Sequence, residues 1–279
     1  MKSILNLFLS ILIFIIFITS CSYKPIERAV IKIKGSDTML ELTKKLAGQY
    51  MKNNPGISIY VSGGGSAEGI RALIRGETDI CTTSRNIRPE EAKALADYYG
   101  SLGLIYLVAK DALSIYLNKR NPVKNLTLQQ LKLIYECKIT NWKDVGGFDK
   151  PIIPVIRNTN SGTYLYFKEH VLTGDAYCEN SVIKPTTRSI IEYVSENINA
   201  IGYGGIGYKG DIYYAKINGI TPSEENARND SYPITRYLHF FTTKTPTGSI
   251  KRFIDWVLSP DGQSIVEQSG FIPLWEISY

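Results

Sequence analysis

The stretch from residue 31 to residue 84, IKIKGSDTMLELTKKLAGQYMKNNPGISIYVSGGGSAEGIRALIRGETDICTTS, predicts the fold of this chain. Residues 31–33 and 57–61 alternate apolar and polar side chains, as a half-buried β-strand does, and residues 78–82 predict a third strand. Apolar side chains at helical spacing follow the first strand, and the segment 67–75 predicts a second helix before the third strand. Repeated strand, polar turn and helix are typical of a parallel α/β sheet.

Two extended apolar runs follow, over residues 104–109 and 113–117, with Lys110 and Asp111 between them. We interpret this charged interruption as a crossing between two lobes, and the segment 237–242 as a strand that returns to the first lobe. The remaining patterns predict helices over 126–136, 163–170, 190–197, 250–258 and 260–269, and extended chain over 152–156 and 201–208.

The chain has 279 residues, of which 44% are hydrophobic and 21% are charged. This composition excludes disorder, collagen and a polytopic membrane protein. Lys and Arg number 32 against 26 Asp and Glu, and the net charge of +6 favours anions but predicts no nucleic-acid-binding stripe. Two histidines, His170 and His239, and four cysteines without a CxxC pair disfavour zinc sites and histidine-based catalysis. We therefore expect no metal and no cofactor.

Residues 1–20 have the pattern of an export signal. Lys2 gives a positive start, residues 4–18 are apolar with two exceptions, and small residues precede Cys21. We expect a lipoprotein signal peptide, cleaved before Cys21, and lipidation of that cysteine; an uncleaved signal anchor is the alternative. The folded part is then expected to be extracytoplasmic and lipid-anchored to a bacterial membrane, in the periplasm or at the cell surface.

The other cysteines are Cys81, Cys137 and Cys178. An extracytoplasmic location permits disulfides, and a bridge between Cys137 and Cys178 is one alternative. Three cysteines cannot all pair within the chain. We prefer the interpretation that they are buried free thiols.

Three turns place hydroxyl side chains and glycine between a predicted strand and a helix, at residues 35–38, 65–66 and 161–163. A helix N-terminus exposes unpaired N–H groups and the positive end of its dipole, which together bind anions. Ser84 follows another strand, and Arg157 precedes the third turn, where its guanidinium can clamp an oxyanion. Each turn alone is explained by ordinary helix capping, and a lone arginine by a surface ion pair. Their combination favours an anion-binding site.

Six motifs occur in an order that resembles one protein family. They are GSDT (35–38), GGGSAEG (63–69), DICTTSR (79–85), KITNW (138–142), RNTNSGT (157–163) and FIDWVLSPDGQ (253–263). With them, essentially the whole mature chain resembles the phosphate-binding proteins that feed bacterial phosphate ABC transporters.

The resemblance implies a type II periplasmic-binding fold, in which two α/β lobes are joined by a two-strand hinge. The first lobe would be discontinuous, formed by residues 21–109 and 237–279, and the second would be formed by residues 110–236. The resemblance also implies a dehydrated inorganic phosphate in the cleft and ABC-transporter permease subunits as partners. We expect a monomer without enzymatic activity.

Carried over by position, the resemblance assigns phosphate contacts to both lobes. They are Thr38, Ser66 and Ser84 from the first lobe and Arg157, Ser161, Gly162 and Thr163 from the second. Some family members have Asp in place of Ser84, and that carboxylate accepts the P–OH hydrogen and excludes sulfate. A serine hydroxyl accepts or donates, so it does not reject sulfate in this way. Asp37 is either a substitute acceptor, if its side chain turns inward, or the N-cap of the following helix.

Other functions fit the sequence less well. Residues 202–207 match GxGxxG, but no predicted helix follows them, which disfavours a dinucleotide site. Neither His170 nor His239 has the context of a catalytic triad. A lipid-anchored adhesin or sensor, a binder of another tetrahedral oxyanion such as sulfate, and an enzyme acting on phosphate esters are the alternatives.

Overall fold

Strand β1 (Ala29–Gly35) pairs in parallel with β2 (Ile57–Ser62) on one side and with β3 (Ile80–Thr83) on the other. The computed structural model describes residues 28–276, so the predicted signal peptide and Cys21 lie outside the described residues. Helix α1 (Asp37–Asn53) connects β1 to β2, and α2 (Ser66–Ile74) connects β2 to β3. The predicted parallel strand–turn–helix order is therefore confirmed.

Two long antiparallel strands join the two parts of the sheet. Strand β4 (Leu104–Asn118) pairs along its first half with β10 (Thr235–Thr242), which also pairs with β3. The two extended runs predicted over 104–109 and 113–117 form one strand, because β4 continues through Lys110 and Asp111. Each charge is neutralised in place, Lys110 by Asp230 and Asp111 by Arg236.

The second lobe begins where β4 leaves β10. There, β4 pairs with β8 (Ala200–Gly205) and β9 (Ile212–Ile217), and β8 pairs in parallel with β6 (Ile153–Arg157). Short strands β5 (Asn125–Leu126) and β7 (Val182–Lys184) pair with β9 and β6. The strand order is β2-β1-β3-β10-β4-β8-β6-β7, so β10 and β4 lie between the two lobes.

Helices cover both lobes. The first lobe has α3 (Pro89–Tyr99), α8 (Gly248–Val257) and α9 (Pro260–Gln268) in addition to α1 and α2. The second has α4 (Leu128–Tyr135), α5 (Gly162–His170), α6 (Thr187–Glu196), α7 (Glu224–Arg228) and a 3-10 turn at Trp142–Val145. No helix among residues 28–276 is both long and apolar enough to span a membrane.

Aromatic side chains support α5 from below. The rings of Tyr135, Phe167, Tyr177 and Tyr203 pack against one another in the buried core of the second lobe. The Tyr177 hydroxyl lies 2.9 Å from the Tyr203 hydroxyl and donates to the Tyr164 carbonyl of α5, also at 2.9 Å. This cluster holds α5 against the core of the second lobe.

Glycines in β8 serve packing. A Cβ at Gly202 would lie 2.4 Å from Ile190 Cγ2, and one at Gly204 would lie 2.5 Å from Thr187 Cγ2, so both residues let α6 approach the strand. The chain turns after β8 and enters β9. The GxGxxG match thus has a structural explanation.

The cysteine prediction was wrong for two of its three residues. Cys137 and Cys178 form a disulfide with a Cα–Cα distance of 5.2 Å, whereas Cys81 is a buried free thiol whose pKa is raised by burial. Folding brings the pair together because the Cys178 N–H donates to the carbonyl of Tyr135 at the end of α4. A separation of 41 residues gave no local signal of this contact.

Candidate functional site

The predicted anion-binding turns converge between the two lobes. Because β1, β2 and β3 are parallel, their carboxyl ends lie at one edge of the sheet, which brings the starts of α1 and α2 and residue Ser84 together. Helix α5 begins after β6 and faces them from the second lobe. Three helix N-termini with their positive dipole ends therefore meet at the cleft.

Four hydroxyl groups form one buried cluster. Thr38 Oγ1 lies 2.8 Å from Thr163 Oγ1, and Ser84 Oγ lies 3.5 Å from both Thr163 Oγ1 and Ser66 Oγ. The Ser84 N–H donates to Ser66 Oγ at 3.1 Å. All four residues are almost inaccessible to solvent. Both lobes contribute to this cluster, and its Ser and Thr hydroxyl groups can donate hydrogen bonds to a small oxyanion.

Gly162 allows this close approach. A Cβ at Gly162 would lie 2.3 Å from Ser66 Oγ and 2.7 Å from Ser84 Oγ, both in the opposite lobe. Ser161 is the N-cap of α5, where its Oγ accepts the N–H of Tyr164 at 3.3 Å. Across the cleft, the Ala67 N–H of α2 donates to the Asn160 carbonyl. The RNTNSGT motif is therefore in direct contact with the first lobe.

Arg157 is buried and pairs with Asp37 across the cleft. Its Nη2 donates to Asp37 Oδ2 at 2.8 Å and to the Pro185 carbonyl, and its Nη1 donates to Thr187 Oγ1 at 3.2 Å. Its Nε has no hydrogen-bond partner among residues 28–276. Burial lowers the pKa of the guanidinium, and the Asp37 carboxylate opposes this effect. The charges of the two residues compensate each other across the cleft, and the pair adjoins the hydroxyl cluster through Asp37, which precedes Thr38.

The position of Asp37 excludes one of the two sequence interpretations. Ser36 holds the N-cap position of α1 and Asp37 is its first residue, so the N-cap interpretation was wrong. The side chain turns inward, where Oδ1 accepts the Gly64 N–H at 2.9 Å and Oδ2 accepts from Arg157. Asp37 thus joins the GSDT and GGGSAEG motifs to the second lobe.

Sequence reasoning missed Arg236. This buried guanidinium in β10 donates from Nη1 to both Thr163 Oγ1 and the Ser84 carbonyl, each at 3.1 Å. Asp111 in β4 accepts from its Nε and Nη2 at 3.0 and 2.9 Å. The one signal available was an arginine and an aspartate, each at a lobe crossing, in otherwise apolar extended segments. Among residues 28–276, no group of three or more His, Cys, Asp or Glu side chains is placed to hold a metal ion.

Comparisons with known proteins agree with this geometry. A family model described as a PBP superfamily domain matches residues 24–261. The phosphate-binding protein PstS of Pseudomonas aeruginosa is 34% identical over 263 residues, covering 86% of this chain and 81% of that protein. The protein of the same name from Bacillus subtilis is 32% identical and covers 88% of this chain and 81% of that protein.

A solved structure from Clostridium perfringens is also similar. It is described as that of a candidate phosphate ABC transporter substrate-binding protein with bound phosphate. It has a TM-score of 0.82 and 35% identity, and the match covers 88% of this chain and 100% of that one. The similarity extends over both lobes and both connecting strands.

Proposed function

Since this chain belongs to the PBP superfamily and, within it, to the phosphate-binding proteins of ABC transporters, we propose that it captures inorganic phosphate in the cleft between its lobes and delivers it to an ABC importer. The observation that carries this function is the buried hydroxyl cluster of Thr38, Ser66, Ser84 and Thr163, on which three helix N-termini converge. Such a site recognises a tetrahedral oxyanion through directed donors.

The contacts to phosphate come from both lobes in this proposal. Asp37, Thr38, Ser66 and Ser84 belong to the first lobe, and Arg157, Ser161, Gly162 and Thr163 to the second. We place the lobe boundaries at residues 109/110 and 236/237, where β4 and β10 run side by side. Because only the closed state brings both sets to one ligand, phosphate shifts the lobes toward closure.

Selectivity over sulfate is weaker than in a site with a carboxylate at position 84. The Ser84 hydroxyl accepts the hydrogen of a protonated phosphate, and it can turn to donate to fully ionised sulfate. Asp37 offers a carboxylate beside the cluster, but both of its oxygens already accept hydrogen bonds. We therefore expect phosphate to be preferred, with measurable sulfate binding.

The size of the ligand bounds its affinity. A ceiling near 1.5 kcal/mol per heavy atom limits a five-atom anion to roughly 7–8 kcal/mol. This free energy corresponds to a dissociation constant on the order of micromolar. Such an affinity suits a scavenger that must also release its ligand.

The location and assembly follow from the same proposal. The protein is extracytoplasmic, acts as a monomer without catalysis, and is held to the membrane by lipidation at Cys21. That residue lies outside the described residues, so the anchor rests on the sequence pattern of residues 1–21.

Calorimetric titration tests the function. The mature chain, freed of bound ligand by unfolding and refolding, is titrated with phosphate and then with sulfate. We expect micromolar phosphate binding and weaker sulfate binding. If neither anion binds, the proposed function is rejected. If sulfate binds more tightly than phosphate, the alternative function of a sulfate-binding protein is favoured. Turnover of a phosphate ester would contradict the absence of catalysis.

A further inference from the structure

Arg236 contacts both lobes at the hydroxyl cluster while it lies on neither of the anion-binding turns. It stands in β10 opposite Asp111 of β4, and these two strands connect the lobes. Its Nε and Nη2 donate to Asp111 Oδ2, and its Nη1 donates to the Ser84 carbonyl of the first lobe and to Thr163 Oγ1 of the second. Both side chains are buried, so the pair is protected from screening by solvent.

The contact restricts the direction of one hydroxyl hydrogen. A guanidinium has only donors, so Thr163 Oγ1 must accept from Arg236. The hydroxyl hydrogen of Thr163 then points away from Arg236, and the nearest oxygen to which it can donate is Thr38 Oγ1 of the other lobe, at 2.8 Å. Ser66 is held in the same way, because its Oγ accepts the Ser84 N–H. Thr163 and Ser66, one from each lobe, therefore each have one lone pair occupied and a hydroxyl hydrogen available to donate.

The other two hydroxyls are not oriented in this way. Thr38 Oγ1 and Ser84 Oγ bond to other hydroxyls, in pairs in which either oxygen can donate. These two groups can therefore reverse freely to suit a proton on the ligand, whereas Thr163 and Ser66 each have one of their two lone pairs committed to an N–H donor. The cluster thus combines two hydroxyls restricted by N–H donors with two that are not.

We propose that Arg236 is a positioning residue for phosphate binding, which holds Thr163 as a hydrogen-bond donor to the ligand and ties it to Ser84 through the strands that connect the lobes. This inference rests on the proposed function. Asp111 neutralises the charge of Arg236, so the contribution of Arg236 is geometric rather than a net positive charge. Lysine at this position keeps the charge but cannot bridge Asp111, Ser84 and Thr163 with a planar set of donors.

A double-mutant cycle tests the role. Phosphate dissociation constants are measured for the wild type, Arg236→Lys, Thr163→Val and the double variant, with thermal unfolding followed in parallel. We expect Arg236→Lys to weaken binding about tenfold in the wild type and less than about twofold when Thr163→Val has already removed the acceptor. Arg85→Lys is the matched control, because Arg85 is an equally buried guanidinium that pairs with Glu91 and donates to none of the four hydroxyls.

The outcomes separate this role from a structural one and from the proposed function. An equal loss in both backgrounds, or an Arg236→Lys variant that binds as the wild type does, would overturn the positioning role. If Arg236→Lys does not fold, Asp111→Asn replaces it in the same cycle, and failure of both to fold assigns the pair to stability alone and overturns the role. A wild type that binds no phosphate rejects the proposed function, whereas wild-type binding with an additive cycle rejects only the role of Arg236.

Discussion

Asp37 and Arg157 form an ion pair across the cleft, with Asp37 Oδ2 2.8 Å from Arg157 Nη2. The carboxylate belongs to the first turn of α1, and the guanidinium belongs to the end of β6 in the other lobe. The Arg157 side chain is 1% exposed, so its charge is compensated by protein groups rather than by water. The pair forms only when the lobes are together. The charge of Arg157 is therefore compensated by Asp37 only in the closed arrangement of the lobes.

Removing Arg157 should weaken phosphate binding by more than the loss of its own contacts. In Arg157→Ala, the ligand loses a charge-assisted donor and also faces an Asp37 carboxylate without its partner. We expect at least about tenfold weaker binding. Adding Asp37→Asn should recover about threefold of that loss, because a neutral amide does not repel the anion. Isothermal titration with phosphate measures both changes.

Arg188 provides the control for this experiment. It pairs with Glu41 across the same cleft, at 3.2 Å, but both side chains are about half exposed. Exposed pairs contribute little, so Arg188→Ala should change the affinity less than about threefold. The coupling is contradicted if Asp37→Asn weakens the Arg157→Ala variant further, or if Arg157→Ala binds phosphate normally.

The sequence predicted the parts of the site whose signals are local. Alternating side chains and capping residues lie within a few positions of one another, so sequence patterns alone place the turns that hold Thr38, Ser66 and Thr163 on helix N-termini. The choice of ion-pair partner is different. Asp37 and Arg157 are 120 positions apart, and Asp111 and Arg236 are 125 apart, so tertiary packing alone selects them. Local patterns therefore indicate the hydroxyls and one arginine but not the second arginine.

The errors in the predicted fold also concern contacts between residues that lie far apart in the chain. Lys110 and Asp111 divide the apolar pattern into two runs because charged residues rarely continue a buried strand. Lys110 pairs with Asp230, in the segment before β10, and Asp111 pairs with Arg236, in β10 itself. Because these partners neutralise both charges, β4 can continue through them as one strand. The disulfide partners are likewise brought together by the packing of α4 against the segment after α5, for which no short-range pattern exists.

Gly162 should be essential because it lies between the lobes. In Gly162→Ala, the new methyl group would overlap Ser66 Oγ and Ser84 Oγ, so the lobes could not close fully on the ligand. Forcing an extra methyl group into a packed interface costs about 1–3 kcal/mol, and we expect phosphate affinity to fall about tenfold or more. Titration calorimetry measures the affinity, and small-angle scattering measures closure in saturating phosphate.

Gly48→Ala is the matched control for Gly162→Ala. Gly48 lies within α1, and a Cβ there would have no atom within 4 Å. The substitution should leave phosphate affinity unchanged and stabilise the fold by about 0.5–1 kcal/mol, since alanine is the better helix former. Normal affinity and full closure of Gly162→Ala would show that the two lobes do not need a glycine at this contact.

His239 should make the stability depend on pH between about 6.5 and 4. Burial first, and then the charge of Arg236, lower its pKa from 6.5 to about 4 in the folded protein. In this range the unfolded chain binds a proton that the folded chain does not, so stability is full above pH 6.5 and is lost as the pH falls. Between about pH 6.5 and 5 the loss should be about 1.6 kcal/mol, measured by urea unfolding at the two pH values.

The second histidine provides the comparison. His239→Gln should remove most of this pH dependence, whereas His170→Gln should keep it, because His170 is exposed at the end of α5. The carboxylates with a lowered pKa, among them Glu68 and Asp175, lose their contributions below their ordinary values of 4.5 and 3.8, which lie below the two pH values compared. Equal pH dependence in His239→Gln and the wild type would contradict the assignment.

The disulfide between Cys137 and Cys178 should stabilise the second lobe without taking part in binding. It closes a loop with a sequence separation of 41 residues, and the loss of chain entropy in the unfolded state predicts a contribution of about 2–4 kcal/mol. Replacement of both cysteines by serine should lower the free energy of unfolding by that amount and leave phosphate affinity within about threefold, because neither residue touches the hydroxyl cluster.

Reductant provides the internal control: it should destabilise the wild type to the level of the double variant and leave the variant unchanged, since Cys81 is not cross-linked. A wild type whose urea transition is insensitive to reductant would show that the bridge contributes no stability.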